Sequence, residues 1–184
     1  MAKNIFRRVA NRLLHTLARW LPGATTLRPA LHRLRGVKIG KDVFIAEEVY
    51  LENEYPEAVE IRDGAQISLR AAIIAHTRGP GKIIIGKNAY LGPNTVLITS
   101  AGRTLNIGEG AVIGAGVVVG SDVAPQMFVP SQPAKAVARA TVPLATANKL
   151  EDFVRGLVPL KRAAPAKPNP SSDSGKQNQK PTNE

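Results

Sequence analysis

The chain has 184 residues, enough for one compact domain with appendages, and its 43% hydrophobic content with a mean hydropathy near zero is that of a globular protein in water. It contains no cysteine, which excludes disulfides and zinc-thiolate sites. The net charge of +11 is local: residues 1–41 hold ten Lys or Arg and no acid, against fifteen basic and fourteen acidic residues in the remainder. With no basic stripe along the body of the chain and only 4% aromatic residues to stack on bases, a nucleic-acid partner is not expected.

The chain opens with a basic helical segment, residues 1–36. Residues 3–21 read as an amphipathic helix, with Ile5, Val9, Leu13, Leu17 and Leu21 at four-residue steps among Lys3, Arg7, Arg8, Arg12 and Arg19, ended by Pro22-Gly23. Arg12, His15 and Arg19 interrupt the apolar runs, so it reads neither as a signal peptide nor as a membrane span. Three roles fit this composition: a helix that packs on the neighbouring coil or subunit and covers an open end, a helix lying on an anionic membrane surface, and an organelle transit peptide. Residues 24–38, with Arg28-Pro29, Leu31, Leu34 and Arg35, predict a second short helix, on which His32, like His15 before it, is expected to be solvated.

From Ile39 to Val123 a six-residue pattern returns in phase: Ile39, Ile45, Leu51; Ile61, Ile67, Ile73; Ile85, Leu91, Leu97; Ile107, Ile113, Val119. Successive sets start 22, 24 and 22 residues apart, so each repeat is three hexapeptides plus a small excursion. A period of six fits neither a helical face nor a flat strand. It fits a short strand and a corner, with Gly64, Asn88 and Gly110 supplying unusual backbone angles at the turns. Three sides close one triangular coil, and about four stacked coils bury a core that no single repeat could. The expected fold is an all-β solenoid with N- and C-terminal helices. Handedness does not follow from the period, because parallel crossovers are nearly always right-handed. The strings IGKNAYLGPN and IGEGAVIGAGVVV, however, resemble the bacterial hexapeptide-repeat acyltransferases, and that resemblance implies a left-handed parallel β-helix over residues 37–139.

The closing stretch DVAPQMFVPSQPAKAV resembles the end of the same transferases in Pro133, Ala134 and Lys135, with Ser131 where those proteins usually have Gly. Residues 140–160 are expected to carry a C-terminal helix, centred on 144–158 with Leu150, Phe153, Val154 and Leu157 on one face. Residues 161–184, rich in Pro, Ser, Asn, Gln and Lys, read as disordered.

His76 is the one histidine inside the repeats, where the second excursion begins. Counting three residues from each third anchor gives a column Glu54, His76, Ser100, Asp122, with stacked positions about 4.8 Å apart. A carboxylate one rung from an imidazole can fix its tautomer and leave the other nitrogen as a base, and Glu54 is the expected partner. Asn53, Arg78, Ser100 and Arg103, with Thr99 nearby, are candidates for holding an acceptor. A Ser-His-Asp hydrolase at Ser100 lacks a nucleophile elbow, and a zinc hydratase of this kind would need three histidines, so no metal is expected. The resemblance implies more: His76 as general base, a homotrimer, acyl-CoA in a groove between two solenoids, contacts at Gly92, Pro93, Gly114 and Ala115, and Lys135 toward the nucleotide. It further implies acetyl or other acyl transfer to a hydroxyl or amine, at the family level a sugar or envelope-glycan precursor, by a cytoplasmic enzyme that the N-terminus could bring to the inner membrane surface. A catalytically silent trimeric scaffold or carbohydrate-binding solenoid is the alternative.

Overall fold

The computed structural model describes residues 5–146 and 149–160. Residues 38–129 wind into a solenoid whose parallel strands stack into three sheets, one per side. The first side stacks Lys38–Ile39, Val59–Ile61, Lys82–Ile85 and Thr104–Ile107; the second stacks Phe44–Ile45, Gln66–Ile67, Tyr90–Leu91, Val112–Ile113 and Phe128–Val129; the third stacks Tyr50–Leu51, Ala72–Thr77, Val96–Ser100 and Val118–Val119. The register is the one the hexapeptide phase predicts, with Ile39, Ile61, Ile85 and Ile107 aligned, then Ile45, Ile67, Leu91 and Ile113, then Leu51, Ile73, Leu97 and Val119. Eleven of these twelve anchors are buried and Ile39 is partly so. A second inward layer, two residues before each anchor, is filled by residues such as Val43, Ala65, Ala89 and Ala111, as the two-residue period of a strand requires. Val123 and Phe128–Val129 extend the stack beyond the fourth coil.

The corners follow one rule on two of the three edges. The residue three after the anchor has positive φ: Asp42, Gly64, Asn88, Gly110 and Gln126 on one edge, Glu48, Arg70, Asn94 and Gly116 on the other. Glycine enters this conformation without a steric penalty and Asn or Asp with a small one, so the sequence pattern at the corners has a backbone cause. The third edge carries the excursions instead.

Two helices cover the first coil. α1 spans Ile5–Trp20 and α2 spans Leu27–Arg35, ended by Gly36 with φ of 104°. Their buried residues are mostly polar: His15 beside Ala18 on α1, and Arg28, His32 and Arg35 beside Pro29 on α2. The end coil explains why. Its strands have no neighbour on the outer side, and their unpaired carbonyls need donors. The Arg33 guanidinium donates to the Ile39 and Gly40 carbonyls on the first side. Arg28 donates to Ile45 O on the second (3.2 Å), and Arg35 to Leu51 O (3.2 Å) and Glu52 O (2.8 Å) on the third. One guanidinium thus serves each side of the triangle, and three of the ten basic residues in 1–41 act as a carbonyl cap. The expectation that His15 and His32 are solvated is overturned. Burial first, and then the Arg35 charge, lowers each from 6.5 to about 3, so both rings are neutral.

The described residues fall into two compact units, divided between Pro133 and Ala134. Within the second, Ala138–Ala140 pairs antiparallel with Leu157–Pro159. The helix expected over 144–158 is reduced to a 3₁₀ turn at Leu144–Thr146 and a six-residue helix, α3, at Leu150–Arg155. Gly156 ends α3, and Leu157 belongs to the strand that follows. The tail read as disordered, 161–184, lies outside the described residues.

Candidate functional site

The third edge is where the solenoid departs from its own rule. The strand Ala72–Thr77 is six residues long and shifts register between Ile74 and Thr77, so that Thr77 rather than His76 stands opposite Ser100. This bulge turns His76 out of the ladder. The coil beneath leaves the sheet after Leu51, which folds the Glu52 carboxylate back under the same corner.

His76 Nδ1 lies 2.6 Å from Glu52 Oε2. The Glu52 side chain is 0% exposed and the imidazole 33%, so a carboxylate inside the wall holds a ring that reaches water. Burial alone would raise the Glu52 pKa. The hydrogen bond to His76 and those from the Ala75, Tyr55 and Glu54 backbone N–H groups outweigh it and hold the carboxyl below its ordinary value. Ala75 N donates to Oε2 at 2.8 Å; Glu54 N and Tyr55 N donate to Oε1 at 2.8 and 3.1 Å. An ionised Glu52 can only accept. Nδ1 therefore carries the proton of this bond, and in the neutral ring Nε2 is left with a lone pair. The Tyr55 ring flanks the imidazole at a centroid distance of 6.1 Å.

Behind Glu52 stands Arg35. Its guanidinium donates to the Glu52 carbonyl, to Asn53 Oδ1 (3.3 Å), to Asn11 Oδ1 (2.7 Å) and to His32 Nδ1 (2.8 Å). Burial lowers its pKa to about 10, which leaves it charged at neutral pH. The segment carrying the site's carboxylate is thus clamped to both N-terminal helices.

The other residues singled out in the sequence fall in several places. Glu54 is paired with Arg8 (3.2 Å) and Arg12 (3.5 Å) of α1; the carboxylate on His76 is Glu52, two residues earlier. Asn53 is held by Arg35 and, through its carbonyl, by Asn11. Ser100 and the exposed Arg78 and Arg103 lie on the excursions around His76, and Thr77 donates to Thr99 O at 2.6 Å. Asp122 accepts from Asn106 N (2.8 Å) and not from the Ser100 corner. Gly92-Pro93 and Gly114-Ala115 precede the third-side strands, whereas His76 stands near the end of one, so within one chain the two groups lie at opposite ends of that face. A Cβ at Gly92 would stand 2.7 Å from Ala115 N and one at Gly114 2.5 Å from Ser131 N, so coil stacking itself demands glycine there. Lys135 is exposed in the second unit. Among the described residues no group of three or more His, Asp or Glu side chains gathers as a metal site. Among them, too, no helix is long and apolar enough to cross a membrane.

No family model matches the chain. It is similar to the provisionally named acetyltransferase YvoF of Bacillus subtilis (strain 168), 27% identical over 134 residues, covering 70% of this chain and 76% of YvoF. Among solved structures it resembles the hexapeptide-repeat containing acetyltransferase VCA0836 of Vibrio cholerae. The TM-score is 0.55 and the identity 20%, over 73% of this chain and 91% of that one. A maltose O-acetyltransferase from Clostridium difficile 630 aligns with a TM-score of 0.45 and 16% identity, over 70% and 83% of the two chains. The fold is thus the left-handed parallel β-helix of hexapeptide-repeat proteins, as the two sequence strings implied.

Proposed function

We propose that the protein is an acyltransferase that moves an acyl group, acetyl by analogy with its named relatives, from acyl-CoA to a hydroxyl or amine of a sugar or envelope-glycan precursor. The observation that carries this reading is the His76–Glu52 pair: a water-reaching imidazole whose Nδ1–H is held at 2.6 Å by a buried, ionised carboxylate. The acetyltransferase name of the YvoF relative supports the same class of reaction.

In this reading Nε2 of His76 takes the proton of the acceptor hydroxyl as its oxygen attacks the thioester carbon. Backbone N–H groups of the adjoining coil stabilise the oxyanion of the tetrahedral intermediate. Its collapse breaks the carbon–sulfur bond, and the imidazolium returns the proton to the departing thiolate, giving acylated product and free CoA. Glu52 stabilises the imidazolium between the two transfers. The assembly that suits this chemistry is a homotrimer in which acyl-CoA lies between two solenoids along Gly92, Pro93, Gly114 and Ala115, with Lys135 toward the phosphates. Arg78, Ser100 and Arg103 flank the His76 corner as acceptor contacts, while Asn53, taken up by Arg35 and Asn11, supports the wall. A cytoplasmic site of action follows from the donor.

The test starts with acetyl-CoA titration by calorimetry and continues with transfer to a sugar panel or thioester hydrolysis. His76→Ala should keep acetyl-CoA affinity and lower turnover by about 10²- to 10⁴-fold, the usual contribution of a general base. Glu52→Gln should cost less, because the base survives and its orientation is weakened. A competent donor and acceptor with His76→Ala at the wild-type rate removes the base assignment; no acyl-CoA binding and no turnover at all returns the scaffold reading.

A further inference from the structure

We propose that the outward face of α1 is a docking surface for an anionic lipid bilayer, on which the helix lies in the plane of the headgroups. The inference is independent of the reaction at His76.

It rests on an inversion. A helix on a globular protein ordinarily turns its apolar stripe to the core and its charges to water. At about 100° per residue, Ile5, Val9, Leu13, Leu17 and Trp20 form one stripe on α1, and the inward residues Asn11, His15 and Ala18 form another on the opposite side. The stripe facing water is the apolar one. Leu13 is 61% exposed and Trp20 63%, and Ile5, Val9 and Leu17 are exposed as well. The inward face is already committed: Asn11 bonds to Asn53 O and Arg35, and His15 stacks edge-on against Tyr50 at 4.9 Å. The helix therefore cannot roll over to hide its stripe without undoing the cap.

Charge decides the occupant. Arg7 lies on one side of the stripe and Arg8, Arg12 and Arg19 on the other; Glu54 pairs with Arg8 and Arg12, so four cations stand against one acid there, and residues 1–41 contain no acid. A second copy docking stripe to stripe would set these guanidinium groups against their own kind. An anionic bilayer offers the complement to both features, negative headgroups for the flanking cations and an acyl boundary for the aliphatic stripe. Trp20, near the end of the stripe, is the kind of side chain that settles at that boundary.

Trp20 is also the chain's single tryptophan, which makes the test direct. The full-length protein is mixed with vesicles of phosphatidylcholine alone or with phosphatidylglycerol, and sedimentation and tryptophan emission are read at low and high salt. The expected result is sedimentation with phosphatidylglycerol vesicles, a blue shift of the emission, release as salt rises, and a loss of about tenfold or more in partitioning for Leu13→Ser/Leu17→Ser. Both leucines are exposed, so circular dichroism of that variant should match wild type. No sedimentation and no blue shift with phosphatidylglycerol vesicles overturns the proposal. So does equal partitioning of the folded double variant, or a lipid-free self-association that the same substitutions abolish and that lipid does not compete with, which would assign the stripe to a second copy.

Discussion

The coils and the helical cap are built on opposite choices of inward residue. In the coils the buried positions are Ile, Leu, Val and Ala apart from Glu52, Thr95 and Thr99; on α2 they are Arg28, His32 and Arg35 beside Pro29. Each interior coil has its N–H and C=O groups paired with the coils above and below, so side chains are free to do nothing but pack. The first coil lacks one of those neighbours, and its outer carbonyls take three arginines in place of a strand. A solenoid end is therefore a hydrogen-bonding problem before it is a hydrophobic one, and the polar inward face of the cap is its solution.

Removing Arg35 is the sharpest way to break that comparison. Arg35→Met keeps length and volume but strips donors from Leu51 O, Glu52 O, Asn53 Oδ1 and Asn11 Oδ1. The expected loss is about 3–5 kcal/mol, several buried acceptors at ~1–3 kcal/mol each less what water can repair. Arg33→Met, whose bonds to Ile39 O and Gly40 O are exposed, should cost under about 1 kcal/mol. Denaturant melts of both variants compare the two directly; equal losses would mean that burial of the donor is irrelevant.

A glycine inside the coils gives a smaller effect of a different kind. Gly92→Ala puts a methyl 2.7 Å from Ala115 N, and backbone has little room to move, so about 1–3 kcal/mol should be lost to overpacking. Gly102→Ala meets nothing within 4 Å but sits at φ of 71°, so its cost should be the smaller strain of a left-handed alanine. If Gly92→Ala is instead silent in stability and weakens acetyl-CoA binding alone, that glycine serves the ligand and not the stack.

The coil phase could be read from the sequence because every anchor repeats the same burial, so errors in one coil are corrected by the next. The site lies where the repetition fails, and that is why only half of it was legible. His76 stood out as the lone histidine of the repeats. Its partner did not, since counting equal steps assumes that the first coil stays in the sheet beyond Leu51, where its strand ends, and so selects Glu54. A signal was present. The position after the anchor is Gly or Ala in seven of the twelve hexapeptides and Arg62, Ser68, Ile74 or Ile98 in four others, so Glu52 after Leu51 is the one acid among them. The cap was legible in part for a related reason: hydrophobic periodicity located α1 and α2 and offered a covering helix among its readings, but left His15 and His32 in solvent, because it carries no record of the carbonyls the helices must satisfy.

The mildest test separates the two regions by pH alone. His15 and His32 titrate at about 3 in the folded cap instead of 6.5, because burial and then the Arg35 charge disfavour their cationic forms. An unfolded chain takes up these protons below about 6.5 and the folded chain does not until about 3, so the unfolded state binds more protons across that window and stability falls as pH falls. Each histidine contributes a slope of up to about 1.4 kcal/mol per pH unit. Glu52, whose folded pKa is lowered from 4.5, adds a loss in the same direction only at the acid end of that range. The melting temperature should accordingly be lower at pH 5.5 than at pH 7.5, a window that lies above the acid end at which Glu52 adds its loss. His15→Phe keeps a ring against Tyr50 and removes one titrating site, and should flatten the dependence by about half. A profile unchanged by that substitution would place the acid sensitivity outside the cap. A flattened one would tie it to α1, whose Asn11 shares Arg35 with the carbonyl of Glu52.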